Sequence, residues 1–318
     1  TDALNLALKG FLRKGDHVVI SSMEHNSVSR PLRMLEREGH ISLDVAPCDE
    51  QGYLEPQAVI SRLTDKTRLV VVSHASNVTG TIQPVGEIGR AVREHGAYLL
   101  VDAAQTAGIL PINLDDLCID LLAFSGHKGL YGLQGSGGLA IGRRVDFIRP
   151  FREGGTGINS ISEVQPHEWP EAFEAGTPNV PGILSMGEGL SFIEEVGMDA
   201  LRAKSSEQIE YLWNELSPLK SVMLYGPPPG DGRIGILSLN MYGWEADDIG
   251  NLLNHNHGIY VRTGLHCSPL AHQTLGTFPS GALRLSPGYF TQHEELVAVV
   301  KAIRMMAMML VPSEGIPC

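Results

Sequence analysis

The run Phe124-Ser125-Gly126-His127-Lys128 closes a strand-like apolar segment, and a second such segment, Tyr98-Leu99-Leu100-Val101, ends in Asp102. Lys128 and Asp102 are 26 positions apart, about one strand–helix–strand step. An amine, a carboxylate and small polar residues are what pyridoxal 5′-phosphate (PLP) demands of a protein. The lysine forms a Schiff base with the aldehyde, the acid pairs with the ring nitrogen, and the polar residues hold the phosphate. Ser125-x-x-Lys128 also has the nucleophile spacing of serine β-lactamase-like enzymes. That chemistry also wants Ser-Asp-Asn and Lys-Thr-Gly, and the chain contains neither.

The elements that must position these residues read as an α/β domain. His17–Ile20, Ile41–Ala46, Arg68–His74, Tyr98–Ala103, Asp120–Ser125 and Gly137–Ile141 are predicted strands. Helices are predicted over residues 1–13, Val28–Glu38, Glu55–Leu63 and Val85–His95. Apolar strands joined by helical crossovers imply a mainly parallel sheet covered on both faces. Ligands then bind at the carboxyl ends of the strands. His25, His74, Asn77, Asp102, Gln105, Ser125, His127 and Lys128 all close predicted strands or follow them closely.

Residues 150–182 are rich in Gly, Pro and Glu and read as irregular. A helix is predicted from Ile183 to Val196, followed by a smaller α+β domain with strands at Arg233–Asn240, Ile259–Arg262 and Ala282–Leu285. Thr291-x-x-Glu294 fits a capping box opening the last helix.

Composition narrows the function classes. The 318 residues carry 24 basic and 36 acidic side chains, a formal charge of −12, which argues against nucleic-acid and anionic-membrane surfaces. No apolar run is long enough for a membrane helix, and no signal peptide is visible. The chain opens at Thr1 in a helical pattern, which suggests a trimmed start. Cys48, Cys118, Cys267 and Cys318 are widely spaced without C-x-x-C, so neither a disulfide framework nor a cysteine zinc site is expected. A reducing cytoplasm is the simplest compartment. His255-x-His257 is expected in a solvent-facing turn rather than as a metal site, Gly135–Gly138 as a tight turn, Trp169–Phe173 as loop packing, and Tyr225–Gly230 as a stiff surface turn.

Six segments together resemble class V aminotransferase-fold PLP enzymes, in the cysteine desulfurase and selenocysteine lyase branch. They are Met23–Asn26, Ser73–Gly80, Val101–Gln105, Ser125–Lys128, Glu174–Asn179 and Arg262–Cys267, in the family's order across nearly the whole chain. The resemblance implies a PLP-dependent transferase fold of type I, with a mainly parallel seven-stranded sheet and a smaller α+β C-terminal domain. Residues 1–196 would form the large PLP-binding domain, incomplete at its N-terminus. Residues 197–318 would carry the cysteine loop and the substrate arginine.

It also implies roles. Lys128 would carry PLP, Asp102 would keep the pyridine nitrogen protonated, and His25 would stack on the ring and handle protons. Asn77 and Gln105 would bond the phenolic oxygen. Ser125, His127 and Thr1 would hold the phosphate, and Thr177 would reach the phosphate of the partner subunit in a homodimer. Arg284 would clamp the substrate carboxylate, with Arg262 orienting the substrate. Cys267 would be the nucleophile, its thiolate favoured by Arg262 and His266. No metal is implied. The expected activity is conversion of L-cysteine to L-alanine with the sulfur held as a Cys267 persulfide. The alternative is a selenocysteine lyase or a class V aminotransferase acting on another amino acid, and the latter needs no thiol. The Gly264–Pro269 connection is short, as in relatives that pass sulfur to a dedicated acceptor protein.

Overall fold

A computed structural model describes residues 1–309. The chain divides into two compact units. The first comprises residues 1–47, 54–74 and 84–198; the second comprises 48–53, 75–83 and the described residues from 199 on. The two short excursions matter, because the second places residues 75–83, Asn77 among them, in the second unit.

The first unit is built on one sheet of β1 (His17–Ser21), β2 (Ser42–Ala46), β3 (Thr67–Ser73), β4 (Tyr98–Asp102), β5 (Leu121–Ser125) and β6 (Gly137–Ile141). Their order is β2-β1-β3-β4-β5-β6. The first five run parallel and β6 is antiparallel to β5. The continuous apolar runs of β1, β3 and β4 are buried, as strands covered on both faces must be.

Among the described residues six strands, not seven, make up this sheet. The resemblance implied a seventh, but the Gly- and Pro-rich stretch after β6 forms only a short 3-10 turn at Glu171–Phe173 before the next helix. Around the sheet lie α1 (Asp2–Phe11), α2 (Asn26–Arg37), α3 (Pro56–Ile60), α4 (Val85–His95) and α5 (Val180–Val196). The parallel register sets Ser73 beside Asp102, and Asp102 beside Ala123, so the ends of β3 and β4 are level and β5 runs two residues further, to Ser125. Helix α5 starts three residues earlier than its pattern suggested. Asn179 caps it by accepting from the Gly182 N–H, and Pro181 is tolerated in the first turn.

The second unit contains α6 (Met198–Leu216), β7 (Val222–Tyr225), β8 (Leu237–Met241), α7 (Ala246–His257), α8 (Pro269–Thr274), β9 (Leu283–Leu285) and α9 (His293–Met309). Its sheet is antiparallel, in the order β7-β8-β9. Ile209, Leu212, Leu237, Leu239, Ile249, Leu253, Leu283 and Ile303 pack into one core.

Residues 233–236 and 259–261 are not strand. Next to the second stretch Arg262 pairs, in an isolated bridge to Arg284. His255 and His257 lie in the last turn of α7, which ends at Gly258 in the left-handed region. At α9 the capping falls one residue later than expected: the Gln292 N–H donates to Glu295 Oε2, while Thr291 Oγ1 accepts from the Gly288 N–H. Among the described residues no helix is long and apolar enough to cross a membrane.

Candidate active site

In the first unit the polar residues gather where the strands end. Asp102 is the last residue of β4 and is buried, its Oδ1 accepting the Ala104 N–H at 2.9 Å. Lys128 lies three residues past β5 on an exposed turn. Two glycines fix that turn. A Cβ on Gly126 would come within 2.2 Å of Ser136 Oγ, and one on Gly129 within 2.5 Å of the Ala107 carbonyl. On the same turn Ser125 Oγ and His127 Nδ1 are 2.9 Å apart.

His25 caps α2 with its ring. Nδ1 accepts from the Ser27 N–H at 3.0 Å, so the neutral imidazole carries its proton on Nε2. Burial lowers the pKa of this ring, the Asp102 carboxylate opposes that, and the Lys128 ammonium adds to it. His25 therefore feels both Asp102 and Lys128. Thr1 Oγ1 is 2.9 Å from Ser27 Oγ, which is in turn 2.9 Å from His25 Nδ1. Gln105 is half-buried on the turn after Asp102. Thr177 is exposed shortly before α5.

Two residues in this unit escaped the sequence reading. Glu24, inside the Met23–Asn26 segment, is completely buried. It accepts from Ser21 Oγ at 2.6 Å, the Ser73 N–H at 2.8 Å and Ser73 Oγ at 2.8 Å, tying the ends of β1 and β3 together directly before His25. Burial outweighs those donors and pushes its pKa up to about 7, with the Asp102 charge contributing. Ser27 is the second, linking Thr1 to His25. The signal for Glu24 was a carboxylate between a buried strand and a helix start. Its partner Ser73 is too far along the chain to be read from position. His74 is buried with Nδ1 3.0 Å from Thr106 Oγ1, and burial pushes its pKa down to about 4.

The second unit holds the other group. Arg262 and Arg284 bridge through their backbones, with Arg284 N donating to Arg262 O at 2.7 Å. The Arg284 guanidinium donates from Nη1 to the Asn77 carbonyl at 2.8 Å, while its buried Nε has no protein partner. The Nε–Nη2 edge is thus the side left for a planar, two-oxygen anion. Burial lowers the pKa of Arg284, the neighbouring Arg262 adds to this, and Cys267 acts the other way.

Cys267 is exposed, between buried His266 and buried Ser268. His266 does not supply the expected positive charge. Burial, then Arg284 and His272, push its pKa down to about 3, so the ring is neutral at pH 7. The cations near the thiol are the arginines. The Asn77 side chain, expected to bond a cofactor oxygen, contacts this loop: Nδ2 donates to the His266 carbonyl and Oδ1 accepts from Ser268 Oγ. Cys48, Cys118 and Cys267 form no disulfide, and Cys318 lies outside the described residues. No metal-holding cluster occurs among the described residues.

Comparison with known proteins agrees with this architecture. The aminotransferase class-V family profile matches residues 1–299. A probable cysteine desulfurase of Halobacterium salinarum is 36% identical over 296 residues, covering 92% of this chain and 70% of that protein. A cysteine desulfurase of Escherichia coli is 33% identical over 313 residues, covering 96% and 75%. Among solved structures, the apo cysteine desulfurase of Thermococcus onnurineus superposes with a TM-score of 0.90 at 32% identity, covering 97% of this chain and 78% of that one. The chain belongs to the aminotransferase class-V family, and the relatives named here are cysteine desulfurases.

Proposed function

We propose that this chain is a PLP-dependent cysteine desulfurase that converts L-cysteine to L-alanine and holds the released sulfur as a persulfide on Cys267. One observation carries this reading over transamination: an exposed thiol lies on the loop beside Arg284, whose guanidinium keeps an unpartnered Nε. An aminotransferase has no use for that thiol.

The donor set of the first unit fits PLP. Asp102 is a buried carboxylate suited to a protonated ring nitrogen, Lys128 offers the amine, and Ser125, His127 and Thr1 offer hydroxyl and imidazole groups for the phosphate. Gln105 would bond the phenolic oxygen. When bound, PLP supplies an electron sink for charge developed at the substrate's α-carbon. Arg284 holds the substrate carboxylate through its Nε–Nη2 edge, and Arg262 orients it. Lys128 Nζ moves the α-proton, and His25 exchanges a proton through Nε2.

The Cys267 thiolate attacks the substrate's sulfur. The new S–S bond forms as the Cβ–S bond breaks, its electron pair stays on the substrate carbon, and that carbon takes up a proton to leave as alanine. The short Gly264–Pro269 loop favours transfer of the sulfur to an acceptor protein. The unit acts as a homodimer in which Thr177 reaches the partner's phosphate, and it works in the cytoplasm, where its thiols stay reduced.

The test pairs alanine release with mass spectrometry of the Cys267 peptide after brief exposure to cysteine. Borohydride is expected to fix PLP to the Lys128 peptide. Cys267→Ala should retain the PLP absorbance, lose the persulfide and lose most alanine formation, whereas Cys48→Ala and Cys118→Ala should change little. Turnover of cysteine by Cys267→Ala at the parent rate would overturn the proposal.

A further inference from the structure

The two residues flanking Cys267 are tied to one side chain far away in sequence. Asn77 Nδ2 donates to the His266 carbonyl at 2.8 Å, and Ser268 Oγ donates to Asn77 Oδ1 at 2.7 Å. The Ser268 N–H also donates to Leu265 O at 2.8 Å, closing the loop on itself. Between these ties, His266 (φ 49°) and Cys267 (φ 59°) both occupy the left-handed region. Side chains other than glycine rarely adopt it, and two in succession persist only where the surroundings over-determine them.

Ser268 shows where that determination comes from. It stands at the start of α8, where a serine ordinarily caps the helix with its hydroxyl, yet it makes no such cap. It is fully buried, and its hydroxyl is spent on Asn77. The base of the loop is equally constrained. Gly264 lies against Gly281, where a Cβ would come within 2.2 Å of the Gly264 carbonyl carbon.

We infer that Asn77 and Ser268 form a clasp that holds the Cys267 loop in its left-handed form and presents the thiol at a fixed distance from the carboxylate anchor. The same Asn77 accepts the Arg284 Nη1 hydrogen bond through its own carbonyl. One residue therefore positions the anchoring arginine through its main chain and the thiol loop through its side chain. Neither Asn77 nor Ser268 reacts in this role; both act through Cys267. The inference rests on the reading of Cys267 as the sulfur carrier.

The test uses the full PLP-loaded chain and the variant Ser268→Ala, which removes one half of the clasp. Hydrogen exchange, followed by mass spectrometry, is expected to rise at least about tenfold across residues 264–269 while α9 keeps its parental protection. Persulfide formation at saturating cysteine should fall by roughly tenfold or more, with the Michaelis constant within about twofold and the PLP absorbance unchanged. Asn77→Asp keeps the acceptor for Ser268 and loses the donor to His266, so it should raise exchange over the same residues. Parental exchange in both variants, or a parental persulfide rate in a loosened Ser268→Ala loop, would overturn the clasp. A parent chain that forms no persulfide at all would sink the desulfurase reading instead, and the exchange data alone would then decide whether the loop is clasped.

Discussion

Glu24 shows at the scale of one residue how a buried group shapes the protein's response to pH. Its carboxyl is sealed from water between the ends of β1 and β3, and burial raises its pKa from 4.5 to about 7. An acid whose folded pKa is raised adds stability that is fully present below its unfolded pKa and is lost as pH rises through the folded one. Between pH 4.5 and 7 the unfolded chain releases this proton while the folded chain keeps it, at a total cost of about 3 kcal/mol. Glu24→Gln cannot ionise, so its stability relative to the parent should climb by about 3 kcal/mol across that window, measured by urea unfolding at several pH values. A difference that stays flat with pH would mean the carboxylate is accommodated without penalty. Lys128, Asp102 and His25 were legible because each follows a recognisable strand. Glu24 was not, because its burial depends on Ser73, 49 positions away in sequence. His266 misled for a similar reason: its place beside Cys267 suggested a cation, but its environment is set by chain folded over it from elsewhere in the second unit.

At the scale of elements, the turns do more of the positioning than the strands. The turn carrying Lys128 and the turn after β4 lie backbone to backbone. A Cβ on Gly108, held at φ 83°, would meet Gly129 O at 2.2 Å, just as one on Gly129 would meet Ala107 O at 2.5 Å. Gly129→Ala should therefore push the two turns apart and destabilise the protein by about 1–3 kcal/mol, as overpacking against backbone does. Less PLP should be trapped on Lys128 by borohydride. Gly187→Ala is the control: it lies within α5 with nothing within 4 Å of its Cβ, and should be neutral or stabilising in urea. Equal loss in both variants would dismiss the packing argument.

The strands of the first unit were readable because apolar runs buried on both faces leave a strong mark. Residues 259–261 are apolar in the same way but have no ladder to join, since strand formation needs a partner as well as a propensity. The sharp cap of α9 moved by one residue because Glu295, not Glu294, reaches the open N–H.

At the scale of the whole molecule, the first unit carries an exposed apolar face that suits the proposed homodimer. Val180, Ile183, Leu184 and Leu190 recur along one side of α5, and Leu184 remains 66% exposed. Nearby in sequence Ile161 is 98% exposed and Val164 69%. Large apolar side chains left in water at helical spacing mark an association surface. In the proposed homodimer Thr177, three residues before α5, would add its hydroxyl to the partner's phosphate site. Read along the sequence, this helix began only at Ile183, and its low amphipathicity concealed that one side stays uncovered. A stable dimer of this kind buries roughly 800 Å² on each subunit. A glutamate placed within it must be desolvated without a partner. Leu184→Glu is therefore expected to weaken self-association at least about tenfold in sedimentation velocity, which corresponds to 1.4 kcal/mol or more, with the far-ultraviolet spectrum unchanged. The monomer so produced should also bind PLP more weakly, and Thr177→Ala should weaken PLP binding while leaving the dimer intact. A parent that sediments as a monomer, or a Leu184→Glu variant that dimerises as tightly as the parent, would show that this face serves some other contact.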